Sequence, residues 1–259
     1  VTVTREGKIT QGIGGRPGRG GDQRLITAFG AELARLVEFI EPELDLEDVV
    51  LEVCSGTGRV SRAIARRVRH VTALDRSPEA IREGKREADQ DALMNVTFAR
   101  GDATDLPYAD RSFTLLLTRS ALHRVEDPAA VLRELVRVSR PGAGLVVADV
   151  VRPEGVDGDP DEPAKLRDPA HRELLTAERI AELIGEAGAD VRRRDLFDVV
   201  RPVDAWLAEV GTPAEAAGEI RARLKAELDG GPATGLRPVL AEDELCVTLA
   251  TAYLGATAP

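Results

Sequence analysis

The stretch VLEVCSGTGRVS, residues 50 to 61, constrains the fold more than any other part of the chain. Apolar positions around a single acid describe a strand with both faces covered, and Gly56 and Gly58 then allow a tight turn into a helix. A strand that enters a helix through glycines is the first unit of a parallel sheet built from right-handed crossovers. Because glycine lacks a Cβ, the backbone there can approach a ligand closely, so the same loop reads as a small-molecule cradle.

The alternation continues downstream. VTALD (71 to 75) reads as a strand, followed by a helix that opens at SPEAIREG with Ser77 as cap and Pro78 in its first turn. VTFAR (96 to 100), SFTLLLT (112 to 118) and GLVVADVV (144 to 151) read as further strands, with a helix over DPAAVLRELVRVS (127 to 139). After the helix TAERIAELIGEAG (176 to 188) come two more strands, DVRRRDLFDVV (190 to 200) and ELCVTLATAYLGA (244 to 256). Between these last strands, VDAWLAEVG and PAEAAGEIRARLKAELDG are helix-like and too long for a turn, so an insertion at about 201 to 240 is expected to cap a binding cleft. RPEGVDGDPDEP (152 to 163) reads as a loop. The expected architecture is α/β, a doubly wound Rossmann-like sheet.

Upstream, Asp22 is a candidate N-cap, and Leu25, Ile26, Phe29, Leu33, Leu36, Val37 and Ile40 recur at helical spacing. Residues 1 to 23, with GIGGRPGRGG, hold too few apolar side chains to form a core and read as a flexible glycine-rich arm; a lid over the cleft and an RGG-like segment are the other readings. Residues 24 to 259 then form one domain.

A formal charge of -10 argues against nucleic acid and anionic membrane as partners, since both call for a broad basic face. No apolar run approaches a bilayer-spanning length, and the N-terminal residues carry no apolar leader-like core. Cys54 and Cys246 lack metal-ligand spacing, so no metal is expected, and a cytoplasmic protein is the simplest reading.

Three nucleotide cradles compete for the glycine loop. A phosphate-binding P-loop requires Lys and Ser or Thr after the glycines, which GTGRVS lacks. A dinucleotide fingerprint is matched only as GxGxxS. Glu52, closing the first strand, would repel a pyrophosphate but suits ammonium and sulfonium charges, as in S-adenosylmethionine. Asp75, closing the second strand, can accept from both ribose hydroxyls, and Asp102, just beyond the third, from an adenine amino group.

With these residues the chain resembles class I S-adenosylmethionine-dependent methyltransferases, closest to the UbiE-like small-molecule enzymes (methyltransferase type 11). The resemblance spans about Leu25 to Ala256 and rests on VLEVCSGTG, ALDRSPEAI, GDATDLPYADRSF and LHRVEDPAAVLRELVRVSRPGAGLVVADV in that order. It implies a seven-stranded sheet in order 3-2-1-4-5-7-6 with an antiparallel end. It also implies that Glu52, Val53, Cys54, Gly56 and Gly58 surround the methionine moiety, Asp75 and Arg76 the ribose, Asp102 and Ala103 the adenine, while Ser120 faces the reacting sulfur. Three departures stand out: Cys54 occupies the first glycine position, Thr114 replaces an Asp, and Arg124 replaces the second His of a frequent LHHV.

Methyl transfer from a sulfonium needs chiefly alignment, with a base where the acceptor carries a proton. His123 follows the fourth strand on the cleft side and is the candidate base or substrate contact, whereas His70 reads as structural. His171, in RDPAHRELLT, is either a substrate-side residue or a helix cap. Arg119, Arg124 and Arg167 are either solvated or clamps for an acidic group, with Arg124 and Arg167 taken as substrate-binding candidates. Trp206, with Phe197 and Leu207, reads either as packing or as an apolar roof over the acceptor. The expected activity is methyl transfer to O, C or N of a small organic acceptor, such as a secondary metabolite or quinone-type precursor. The alternatives are a protein of the same fold that binds the cofactor for a non-methylating reaction or for regulation, and a nicotinamide-dependent oxidoreductase. A homodimer is compatible with all three.

Overall fold

The computed structural model describes residues 22–259, with side chains from Gly30 onward. The expected arm therefore lies outside the described residues, except for Asp22 and Gln23, which begin the first helix. That helix, α1 (Asp22–Ile40), contains a non-helical Gly30, then buries Leu33, Leu36 and Ile40, the positions its spacing predicted.

The parallel core of the sheet consists of β1 (Val49–Val53), β2 (His70–Asp75), β3 (Val96–Arg100), β4 (Phe113–Arg119) and β5 (Ser139–Val150). Crossover helices α2 (Arg59–Ile64), α3 (Pro78–Gln90) and α4 (Pro128–Val138) connect them. Ser77 accepts the Ala80 N–H and Asp127 the Ala130 N–H, so α3 and α4 start where their caps place them. Beyond β5 come α5 (Asp161–Arg167), α6 (Ala177–Glu186), β6 (Asp190–Pro202), α7 (Val203–Ala208), α8 (Ala214–Leu228), β7 (Val239–Ala241) and β8 (Glu244–Thr257). The strand order is β3-β2-β1-β4-β5-β8-β6, and β8 runs antiparallel to both neighbours. This is the expected order with one addition, the three-residue β7, which pairs with β8 through a tight turn at Glu242 and Asp243, both at positive φ.

Two further elements differ from the sequence expectation. The loop expected over 152–163 gives way at Asp161 to α5, whose short length and Pro163 in the first turn left no apolar period to detect. β5 begins at Ser139, five residues before the apolar run, because a register shift opposite Phe113 lets the Pro141–Gly142 segment join the strand.

Strand periodicity sorts the core into two layers. Leu51 and Val53 face the layer that holds Leu132, Leu135 and Ile180, while Val50 faces the layer of Leu36, Ile64 and Leu117 beneath α1 and α2. Each fully buried leucine contributes roughly 2 kcal/mol of apolar transfer. A third cluster, with Trp206, Leu207, Ile220, Leu224 and Leu249, packs α7 and α8 onto the first half of β8. No described helix is long and apolar enough to cross a membrane.

Candidate functional site

The carboxyl ends of parallel strands form the ligand edge of a doubly wound sheet, and the chain places its loops there accordingly. After β1, Cys54, Gly56 and Gly58 all adopt positive φ (52°, 56° and 66°), bending the backbone sharply into α2. The two glycines serve different purposes. A Cβ on Gly58 would stand 2.7 Å from Phe98 Cε1, so packing excludes it. A Cβ on Gly56 would meet no atom within 4 Å and would project into open space, as a cradle for a ligand requires. In the same loop the Ser55 hydroxyl is buried and has no hydrogen-bond partner among the described residues.

Asp75 fastens this loop to the next one: one carboxylate oxygen accepts the Gly56 N–H at 2.7 Å and the other the Ser77 N–H at 2.8 Å. Asp102 accepts from the Thr104 N–H at 2.9 Å and hydroxyl at 2.8 Å, and pairs with the exposed Arg76. The Arg76 bond is the main reason its carboxyl is held down at about 2, so it is ionised and an acceptor at any physiological pH. Cys54, Asp75, Arg76, Asp102 and Ala103 line one cavity of about 370 Å³, together with Val125, Glu126 and Asp127, which the sequence did not single out. These acids, the open Gly56 cradle and the orphan Ser55 hydroxyl fit a nucleoside with a cationic tail.

Glu52 takes a different position from the one expected. By period two it shares the face of Val50, so its side chain enters the layer beneath α1 and α2 and does not line this cavity. Its carboxyl is 3% exposed and accepts the Ser61 N–H at 2.8 Å and the Ser61 hydroxyl at 2.5 Å, within the first turn of α2. Burial pushes it up to about 7, against the opposing effect of the Ser61 bonds and of Arg119. Val53 likewise buries its side chain in the core, leaving only its backbone near the loop. Burial also pushes the Cys54 thiol up to about 12, which keeps it neutral. Thr114, the second departure, supports the strands: its hydroxyl donates to Asp48 at 2.6 Å and accepts the Val49 N–H at 3.0 Å.

The turn after β4 divides the cleft. Val125, Glu126 and Asp127 face the first cavity, while Ser120, His123 and Arg124 face a second one of about 200 Å³, roofed by Trp206, Glu209 and Val210. His123 Nδ1 lies 2.5 Å from Asp149 Oδ1. Asp149 is 2% exposed and also accepts the N–H groups of Ala121, Leu122 and Val150 at 2.7 to 3.0 Å. These bonds assign the Nδ1 proton to the Asp149 side and leave Nε2 as an acceptor. Sequence reasoning passed over Asp149, whose signal was an acid inside the apolar run GLVVADVV.

Of the other candidates, Arg124, Arg167 and Trp206 line the second cavity and His171 does not. Arg124 pairs with Asp168 at 2.9 Å; Arg167 lies over the Trp206 ring at 4.6 Å and donates to the Trp206 carbonyl and to Glu209. His171 sits behind His123, ring centroids 5.5 Å apart, with Nε2 2.6 Å from Asp161, while Thr176 is the residue that caps α6. Phe197 packs edge-on against Tyr253 under α1, outside the roof. Glu32 and Arg201, which the sequence did not connect, join α1 to β6 at the cavity wall. Among the described residues no group of three or more His, Cys, Asp or Glu side chains could hold a metal ion.

Residues 44–187 match the family model described as a methyltransferase domain. The chain is 27% identical over 231 residues to the uncharacterized methyltransferase YcgJ of Bacillus subtilis, covering 86% of this chain and 85% of that protein. The solved structure of YcgJ superposes with a TM-score of 0.76 at 21% identity, over 87% of this chain and 97% of that one. A demethylmenaquinone methyltransferase of Renibacterium salmoninarum is 39% identical over 104 residues, which is 40% of this chain and 42% of that protein. With more than half of its length matched by the family model, this chain belongs to the methyltransferase domain family, whose methyl donor is S-adenosylmethionine.

Proposed function

We propose that the protein methylates an oxygen of a small organic acceptor, held in the cavity under α7. The observation that carries this reading is the His123–Asp149 pair on the wall of that cavity. A base fixed by a buried carboxylate serves an acceptor that must lose a proton, such as a phenol or enol, and is superfluous for a tertiary amine. The methyl donor is expected along Cys54–Gly58, Asp75 and Asp102, while Ser120 lies on the wall of the second cavity. When bound, S-adenosylmethionine supplies an electrophilic methyl group on a sulfonium.

The chain's own residues then have few tasks. His123 Nε2 takes the acceptor's hydroxyl proton, while the Nδ1–H bond to Asp149 fixes the ring and stabilises the imidazolium that results. Trp206, Val199 and Leu249 hold the apolar body and exclude water, which strengthens these polar contacts. The small volume of the cavity and the net charge of -10 support a small molecule over nucleic acid, and nothing in this mechanism calls for a membrane. Cytoplasmic action on a quinone-type or other secondary-metabolite precursor accords with it.

Release of S-adenosylhomocysteine from a panel of small phenols and hydroxyquinones tests the proposal, with His123→Gln and Asp149→Asn alongside. Turnover should fall in both variants with cofactor affinity unchanged. Cofactor binding without release on any acceptor would favour the non-methylating alternative; full activity in both variants would remove the base.

A further inference from the structure

Among the described residues four guanidinium groups line the second cavity, and three of them are bound to carboxylates. Arg201 donates to Glu32 at 2.7 Å and to Glu209 at 3.0 Å; Arg167 donates to Glu209 at 2.9 Å, and Arg124 pairs with Asp168 at 2.9 Å. Among the described residues the cavity's remaining acid, Asp149, is committed to His123 and three backbone N–H groups. Arg119 stands apart. Its nearest acid among the described residues is Glu32 at 3.9 Å, beyond hydrogen-bond reach, and that carboxylate already holds Arg201 in a two-point grip. The buried Glu52 carboxyl and the Tyr253 hydroxyl feel its charge but give it no hydrogen bond among the described residues.

The Arg119 side chain is only 25% exposed, so a cation here loses much of its hydration without gaining a bonded partner. The planar fork of a guanidinium matches a carboxylate on two points. Arg119 adjoins Ser120 at the end of β4, on the wall that His123 also lines, while Trp206 and Leu249 supply the apolar side.

We propose that Arg119 is the anion-binding residue of this cavity and that the acceptor is a hydroxylated carboxylic acid, its carboxylate on Arg119 and its hydroxyl toward His123. This rests on the cavity being the acceptor site, as argued above. Arg124, which the sequence offered beside Arg119 as a clamp, is 43% exposed and already paired, so it is the weaker candidate.

Salicylate and its neutral analogue salicylamide probe the assignment by calorimetry, in the wild-type chain and in Arg119→Gln, Arg119→Lys and Arg124→Gln. The wild type should bind salicylate at least about tenfold tighter than salicylamide, a difference expected for one charge-assisted pair. Arg119→Gln should abolish that preference, Arg119→Lys should retain part of it, and Arg124→Gln should retain it. Equal affinity for acid and amide, no binding of either, or a preference that survives Arg119→Gln would overturn the proposal. S-adenosylhomocysteine titrated into the same variants distinguishes the other source of a carboxylate. A loss confined to that ligand in Arg119→Gln reassigns the guanidinium to the cofactor and also overturns it. If instead the acid preference behaves as expected while no phenol is methylated, the fault lies with the methyl-transfer reading and not with Arg119.

Discussion

Replacing Glu52 by Gln gives a stability effect whose size and pH course follow from the structure. The carboxyl titrates near 4.5 in the unfolded chain and near 7 when buried against Ser61. Below both values it is protonated in either state and costs nothing. As pH rises from 4.5 toward 7 the unfolded chain releases the proton while the folded one keeps it, so stability falls by about 1.4 kcal/mol per unit. Above 7 the penalty is complete, at roughly 3 kcal/mol. Glutamine keeps the oxygen that accepts the Ser61 N–H and hydroxyl but never ionises. Urea unfolding of both proteins from pH 4 to 8.5, followed by circular dichroism, should therefore give nearly equal stabilities at the acid end. The variant should be roughly 3 kcal/mol more stable at the alkaline end. Taking the difference between the two proteins cancels the other carboxylates, several of which titrate low and lose stability as pH falls. A difference that stays constant across the range would refute the reasoning, because it would mean that Glu52 is not a buried titrating group.

Other perturbations separate the remaining roles. Asp102→Ala removes an ionised acceptor from the first cavity and should weaken S-adenosylhomocysteine binding by roughly ten- to a hundredfold in calorimetry; unchanged affinity would detach Asp102 from the cofactor. Gly58→Ala should cost roughly 2 to 4 kcal/mol in urea unfolding, from its positive φ and the contact with Phe98. Gly56→Ala should cost only about 1 kcal/mol yet impair cofactor binding, since its methyl group enters open space; equal stability losses at the two glycines would contradict the division. Iodoacetamide at pH 8 should label Cys54 far more slowly than a free thiol, given the raised titration of its buried sulfur, and labelling at the free rate would show the site to be more open.

Features that depend on neighbours in sequence were legible from it. The glycine loop, Asp75 and Asp102 each sit at a strand end within a local pattern, and the cap Ser77 starts its helix where its chemistry directs. The second cavity was not legible in the same way, because its wall is assembled from distant segments. Glu32 and Arg201 are 169 residues apart, and Asp149 reaches back 26 residues to His123. Glu52 shows a subtler limit. Its place in the motif suggested a ligand contact, but the two-residue period of β1 sends its side chain into the interior, and only the covering helices α1 and α2 make that interior dry. His171 was visible as a titratable residue in a loop, yet its partner Asp161 belongs to a helix too short to announce itself.

Hydrogen exchange with and without saturating S-adenosylhomocysteine tests most directly whether the ligand lies across the carboxyl ends of the first three strands. The account predicts slowed exchange in 54–58, 75–77 and 101–104, with little change in the distant helix α8. Protection absent from those three segments, or confined to the cap, would contradict it.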